Sequence, residues 1–211
     1  MTYYLPNEIE DKSFQIITKE LEDMEVQIEE KTAPILKRVI HTSADFEYVE
    51  NLVFSETAVD AALQALSEGC VIVTDTNMAL AGINKPCLGK LGCEAYCYIA
   101  DEDVRIRAKK NGTTRATQSM IKASEVEKPL ILVIGNAPTA LIQLHEMIEQ
   151  GAITPRLIIG VPVGFVNVVE SKELIMQSSV PYIVAKGRKG GSNVAAAIIN
   201  ALMYMKNPSR S

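Results

Sequence analysis

The chain has 211 residues, of which 47% are hydrophobic and 22% charged, and its formal net charge is -5. This length and composition fit one globular domain over residues 1–211. The acidic balance and the scarcity of aromatic side chains argue against nucleic acid as a partner, since binders of single strands use basic grooves and stacking platforms. Apolar runs such as Pro129–Ile134 are too short to cross a membrane, and the first residues show no export signal. We therefore expect a cytoplasmic protein.

The first third of the chain is predicted to be helical. In residues 9–24, hydrophobic side chains recur at helical spacing after an acidic first turn. A second helix is predicted over Pro34–Ser43, because a proline fits the first helical turn. A third is predicted over Glu56–Ser67, which ends just before Gly69.

From Cys70 onward, strand patterns alternate with helix patterns. Short, apolar, β-branched segments typical of strands buried on both faces are Cys70–Asp75, Leu130–Gly135, Arg156–Pro162 and Pro181–Gly187. Glu94–Ile99 is a further strand candidate. Helices are predicted over Glu102–Lys110, Thr117–Ala123, Pro138–Gln150, Glu170–Ser178 and Ser192–Met205. The alternation predicts a single-domain α/β fold with a mostly parallel central sheet and helices on both faces.

The four cysteines, Cys70, Cys87, Cys93 and Cys97, are expected to be free thiols in a reducing compartment. Their spacing is not one that binds zinc, and no histidine lies near them in sequence. Cys93 and Cys97 would share one face of a strand, so we interpret them as small buried hydrophobic residues. No metal site is predicted.

Ligands of open α/β sheets bind beyond the carboxyl ends of the strands, where this chain has polar and glycine-rich turns. Asn136 and Thr139 follow one predicted strand, and Arg188, Gly190 and Gly191 follow another. Helix N-termini after such turns can hold anions, and glycines let the backbone approach a ligand closely. Ordinary turn and cap chemistry explains each loop alone, but together they favour a shared binding pocket. Neither common nucleotide-binding glycine fingerprint occurs, so a phosphate-binding role has weak support.

The chain has two histidines, and His41 is the stronger candidate for chemistry. His145 lies in the middle of a predicted helix and is interpreted as a helix-face residue. His41 ends a helix beside the hydroxyls of Thr42 and Ser43, with Asp45 close by. A structural role is common for such a histidine, but a reaction near neutral pH needs a group that titrates there. We predict that His41 is catalytic, in a proton-assisted rearrangement rather than a hydrolysis.

Arginines are the predicted anion-binding groups. Arg38 lies one helical turn before His41 and on the same face. Two further clusters of cations occur in the sequence. Arg115 belongs to the cluster within residues 105–115, and Arg188 belongs to the cluster within residues 186–189. The arginine guanidinium binds a carboxylate through two hydrogen bonds, which favours these residues over neighbouring lysines. Lys109, Lys110 and Lys189 are interpreted as solvated surface.

Several segments resemble the precorrin-8X methylmutase family, which includes the cobalt-precorrin-8 methylmutases. In chain order they are RVIHTSADF (Arg38–Phe46), GNAPTAL (Gly135–Leu141), PVGFVNVVESK (Pro162–Lys172) and KGRKGGSNVAAA (Lys186–Ala197). The pairs Ser13–Phe14 and Thr114–Arg115 also fit. The resemblance spans nearly the whole chain, and the order of these motifs makes it specific.

The resemblance implies a cytoplasmic homodimeric isomerase that moves a methyl group from C11 to C12 of a contracted tetrapyrrole. It implies that His41, through the R-x-x-H pattern, donates a proton to the ring. It also implies that Ser13, Arg38 and Arg115 bind the substrate, whose acetate and propionate groups would match arginines and helix N-termini. Such a shift needs no cofactor, and any cobalt belongs to the substrate. The sequence does not decide whether cobalt is present, and we favour the cobalt form.

Two other interpretations stay open. A tetrapyrrole carrier would keep the arginines and the helix N-termini, but it would not need His41. A different α/β enzyme acting on an anionic small molecule, such as a nucleotide-dependent transferase, would be favoured by a phosphate-binding loop, and the sequence has none of the usual ones.

Overall fold

A six-stranded sheet organises the computed structural model, which describes residues 6–207. Its strands are β1 (Leu52–Phe54), β2 (Val71–Thr74), β3 (Glu94–Tyr96), β4 (Leu130–Ile134), β5 (Leu157–Gly160) and β6 (Tyr182–Ala185). They lie in the order β1-β6-β5-β4-β2-β3. The edge strand β1 is antiparallel to β6, and every other neighbouring pair is parallel. The predicted mostly parallel sheet is confirmed.

Eleven helices connect these strands within residues 6–207. They are α1 (Pro6–Asp23), α2 (Ala33–Ser43), α3 (Tyr48–Asn51), α4 (Ala58–Ser67), α5 (Asn77–Gly82), α6 (Lys85–Lys90), α7 (Glu102–Asn111), α8 (Arg115–Ala123), α9 (Pro138–Glu149), α10 (Val168–Met176) and α11 (Ser192–Lys206).

The core lies in two layers, one on each face of the sheet. Every residue of β2, β4 and β5 is buried, as expected for strands covered on both sides. On one face, Ile131 and Val133 of β4 pack with α1, α2, α4 and α11. On the other, Leu132 and Ile134 pack with α8, α9 and α10. This period-two division confirms the prediction of helices on both faces.

Several short elements were not predicted from the sequence. They are α3, β1, α5 and α6, each of three to six residues. Such segments are too short to show a hydrophobic period. Side chains cap two of these helices: Thr76 accepts a hydrogen bond from the Ala79 N–H at 3.1 Å, and Asn84 accepts one from Cys87 at 2.9 Å. The predicted strand over Glu94–Ile99 is shorter, ending at Tyr96.

The four cysteines are free, as predicted. Cys70, Cys87 and Cys93 are buried, whereas Cys97 is only partly buried. The Sγ atoms of Cys70 and Cys93 lie 3.8 Å apart at the start of adjacent strands. Among residues 6–207, no group of three or more His, Cys, Asp and Glu side chains is placed to hold a metal ion. No helix in the same range is long and apolar enough to span a membrane.

Candidate active site

The structure divides the predicted site residues into two groups. Ser13, Arg38 and His41 lie on α1 and α2. The other six lie in the loops at the carboxyl ends of β4 and β6, or in the first turn of a neighbouring helix: Arg115, Asn136, Thr139, Arg188, Gly190 and Gly191.

His41 lies in the last turn of α2, against the aromatic ring of Phe14 on α1. The two rings stack with centroids 5.2 Å apart and planes 18° apart. One turn earlier, the Arg38 guanidinium lies over the same Phe14 ring, 4.7 Å from its centroid, and over Tyr204 at 5.2 Å. Arg38 also pairs with the Glu10 carboxylate at 2.7 Å. Phe14 therefore orients both predicted residues, and a ligand carboxylate at Arg38 would have to share it with Glu10.

A groove of about 230 Å³ opens between α1 and α2 beside His41. Its lining is mostly apolar, with the Glu20 carboxylate and the His41 imidazole as its ionisable groups: Ser13, Ile16, Ile17, Glu20, Ile40, His41, Ala44 and Phe46. The Ser13 hydroxyl donates a hydrogen bond to the carbonyl of Ile9 at 2.9 Å. His41 is partly exposed, so a molecule in this groove can reach its ring.

Asp75, at the end of β2, organises the start of α9. Its side chain is buried, and its oxygens accept hydrogen bonds from the N–H groups of Gly135, Asn136 and Ala137 at 2.9, 2.8 and 2.7 Å. Burial raises the pKa of Asp75, and the three donors act in the opposite direction. Asn136 does not cap α9, because Ala137 occupies the cap position. These three N–H groups precede the first helical residue, Pro138, and are already paired within the protein.

Two threonines bring the N-termini of α8 and α9 together. Thr114 caps α8 by accepting a hydrogen bond from the Thr117 N–H at 3.0 Å. Its hydroxyl also lies 2.9 Å from the hydroxyl of Thr139 on α9. Arg115, the first residue of α8, therefore lies beside Thr139, and both Arg115 and Asn136 are exposed.

The glycines after β6 let this loop approach the end of β5. Gly190 and Gly191 have φ values of 156° and 129°. A Cβ on Gly190 would lie 2.1 Å from the carbonyl oxygen of Val161, and the Gly191 N–H donates to the same oxygen at 2.9 Å. The close backbone approach predicted here is thus to the protein itself, and contact with a ligand stays a prediction.

Lys172 on α10 lies behind the same loop. It is only 1% exposed, and its ammonium donates hydrogen bonds to the carbonyls of Gly187 and Lys189, both at 2.8 Å. Burial lowers the pKa of Lys172 to about 8. The roles of Lys172 and Asp75 are not predictable from the sequence, because their partners lie far away in sequence.

Lys189 lies at the surface, as interpreted, with 42% of its side chain exposed, but it also has partners within the protein. Its ammonium pairs with Asp45 at 2.6 Å and with Glu47 at 2.8 Å, just beyond the end of α2. The hydrogen bond from Lys189 holds the pKa of Asp45 below its usual range. This ion pair connects the loop after β6 to the helix that carries His41, and so it joins the two groups of predicted site residues.

The loop after β5 presents apolar side chains to solvent. Phe165 is 82% exposed and Val166 78% exposed, and the Arg188 guanidinium lies over the Phe165 ring at 5.3 Å. Apolar surface next to exposed arginines suits a large apolar ligand that carries carboxylates. Together with His41, the arrangement can bind an anionic ring system and exchange a proton with it.

Comparison with known proteins identifies relatives along nearly the whole chain. Residues 8–205 match the family described as Precorrin-8X methylmutase. The chain is 44% identical over 211 residues to the Cobalt-precorrin-8 methylmutase of Leptospira interrogans serogroup Icterohaemorrhagiae serovar Lai, covering 96% of this chain and 95% of the relative. It is 41% identical over 167 residues to the Precorrin-8X methylmutase of Pseudomonas aeruginosa, covering 78% and 80%. It also resembles the crystal structure of precorrin-8x methyl mutase from Thermus thermophilus, with a TM-score of 0.86, 37% identity and coverage of 96% and 99%.

Proposed function

Because the chain belongs to the precorrin-8X methylmutase family, we propose that it moves a methyl group from C11 to C12 of cobalt-precorrin-8, with His41 as the proton donor. The protein is an isomerase of cobalamin biosynthesis, as its family membership establishes. The position of the methyl shift, the cobalt in the substrate and the role of His41 are the proposed parts.

The local environment of His41 supports its proposed role as the proton donor. The imidazole is partly exposed in an apolar groove, is oriented by the Phe14 ring and lies one turn from Arg38. A proton or a strong hydrogen bond from this ring to the macrocycle would polarise its π-system and favour migration of the methyl group. Migration within one molecule changes no oxidation state and releases no group. We therefore propose that the protein uses no cofactor.

We propose that arginines bind the carboxylates around the macrocycle. Arg115 and Arg188 are exposed at the strand ends, and Arg38 lines a second cavity of about 320 Å³, together with Phe14 and Tyr204. An arginine–carboxylate pair is charge-assisted and can be bidentate, which fixes orientation as well as affinity. The exposed Phe165 ring, next to Arg188, is suited to contact the apolar face of the same molecule.

A homodimer is also proposed. The groove at His41, about 230 Å³, is smaller than the roughly 300–1,000 Å³ of pockets that enclose a drug-sized ligand. A tetrapyrrole is larger still, so this groove can hold only the reacting edge of the ring. A second subunit would supply the missing cover. Sedimentation equilibrium tests this proposal, and a monomer that binds and converts the substrate contradicts it. The free cysteines support a cytoplasmic location.

Absorption spectroscopy of the purified protein mixed with cobalt-precorrin-8, or with metal-free precorrin-8, tests the proposed function. We expect wild type to convert the cobalt form and His41→Ala to bind it without conversion. His145→Ala is the matched control, because it removes the other histidine, which lies on α9. This variant should still convert the cobalt form.

Each outcome has a distinct meaning. Conversion of the metal-free form alone would correct the proposed substrate, and conversion by His41→Ala would remove the proposed role of that residue. Binding of both forms without conversion by wild type would favour a carrier. If neither form binds, the tetrapyrrole assignment fails for this chain.

A further inference from the structure

The backbone around Arg188 is held by donors at three consecutive carbonyl groups. The Lys172 ammonium binds the carbonyls of Gly187 and Lys189, each at 2.8 Å. Between them, the carbonyl of Arg188 accepts a hydrogen bond from the Gly164 N–H at 3.1 Å. The peptide groups on both sides of Arg188 therefore cannot rotate without breaking a hydrogen bond.

Lys172 is an unusual residue for its position, because it is 1% exposed and ranks among the largest fully buried side chains. Taking an ammonium group out of water is costly unless hydrogen bonds compensate. A methionine of similar length would fill the same space without this cost. What the ammonium adds is therefore its two hydrogen bonds to the loop.

The loop that Lys172 holds contacts both parts of the candidate site. Arg188 extends to the Phe165 ring, 5.3 Å from its centroid. Lys189 reaches in the other direction, to Asp45 and Glu47 beyond the end of α2. A change in the backbone at residues 187–189 would therefore displace the Arg188 guanidinium and the contact with the helix that carries His41.

We propose that Lys172 is a positioning residue, which holds Arg188 in place to bind a carboxylate of the substrate and keeps the loop against the end of α2. It acts through the loop backbone and does not itself contact the substrate. This inference rests on the proposed function, since only then does Arg188 meet a carboxylate-bearing macrocycle.

Hydrogen exchange tests the structural half of the proposal without any substrate. In Lys172→Met, amide exchange within residues 187–191 should be faster by about tenfold or more, since the loop loses the donors that oppose its opening. Exchange in α4, on the opposite face of the sheet, should not change. Lys31→Met is the matched control, because that lysine is 59% exposed and pairs with Asp60 on the surface.

Steady-state kinetics with cobalt-precorrin-8 tests the functional half. Lys172→Met should raise KM by about tenfold or more, as for the loss of one charge-assisted contact, and should leave kcat within about threefold. Lys172→Arg keeps the charge and the donors, so it should recover part of the loss in KM. A packing role alone would not produce this rescue, because arginine is the larger and less well fitting side chain.

The outcomes distinguish failure of the positioning role of Lys172 from failure of the proposed function. Unchanged exchange in residues 187–191 would overturn the positioning role. Faster exchange with unchanged KM would show that the loop does not position the substrate, which would also overturn it. If wild type neither binds nor converts either form of precorrin-8, the proposed function fails and the functional half of this inference fails with it, while the exchange data still decide the structural half. Should Lys172→Met not fold, Lys172→Gln, which keeps N–H donors without a charge, should give the same changes on a smaller scale.

Discussion

Asp75→Asn should destabilise the protein by removing one acceptor from the start of α9. In wild type, one carboxylate oxygen accepts from Gly135, and the other accepts from Asn136 and Ala137. An asparagine in the same place keeps one oxygen, and its amide nitrogen must face a backbone N–H group instead. At least one buried donor is then left without an acceptor.

The expected loss is about 2 kcal/mol in the free energy of unfolding. A buried donor without a partner costs about 1–3 kcal/mol, and removal of a buried charge offsets part of the loss of a charge-assisted bond. For a chain of this size, the loss corresponds to a Tm lower by about 4–8 °C. Asp75→Ala removes all three acceptor contacts and should cost more.

Urea denaturation and calorimetry at pH 7 measure this effect. Asp60→Asn is the matched control, since Asp60 has a side chain that is 61% exposed and pairs with Lys31 at the surface. It should change the free energy of unfolding by less than about 0.5 kcal/mol. If Asp75→Asn unfolds with the same free energy as Asp60→Asn, Asp75 does not stabilise the start of α9 as argued.

Two further predictions concern the loop after β6. Gly190→Ala should destabilise the protein by at least about 2 kcal/mol, because its Cβ would lie 2.1 Å from the carbonyl oxygen of Val161. Thermal unfolding measures this loss. Gly89→Ala is the control and should be neutral or slightly stabilising, because no atom lies within 4 Å of the added Cβ. For Lys172, burial lowers the pKa from 10.5 to about 8, so the protonated side chain opposes folding by about 3 kcal/mol below pH 8. Between about pH 8 and 10.5 the folded state releases this proton first, so the stability of wild type relative to Lys172→Met should rise. A flat difference across this window contradicts the assignment.

Much of the fold could be predicted because the main strands differ in character from the helices. The runs at Val71–Thr74 and Leu130–Ile134 are β-branched or leucine-rich throughout, which a strand buried on both faces requires. The edge strand β1 has only three residues, and its pairing with β6 is fixed by contacts across the sheet, such as the hydrogen bond from the Tyr182 N–H to the Ser55 hydroxyl at 2.9 Å. No local period encodes such a contact.

The candidate site could be predicted in part for a similar reason. His41 and Arg38 are one helical turn apart, so their shared face follows from the spacing alone. Asp75 and Lys172 were missed because each acts on a segment that is distant in sequence, 60 residues away for the contact with Gly135 and 15 residues away for that with Gly187. An aspartate at a strand end, and a lysine on the helix face that carries Val168 and Ile175, are the weak signals that could have indicated them.

These two buried charges also determine how the site can bind a ligand. The carboxylate of Asp75 pairs with N–H groups at the start of α9, and the ammonium of Lys172 pairs with carbonyls of the loop after β6. The protein therefore satisfies these backbone groups itself, from the side of the core. We therefore expect recognition of an anionic substrate to depend on side chains such as Arg115 and Arg188, which are exposed. Affinity should consequently fall with added salt, as charge-assisted side-chain contacts do, and a binding constant independent of ionic strength would contradict this division of roles.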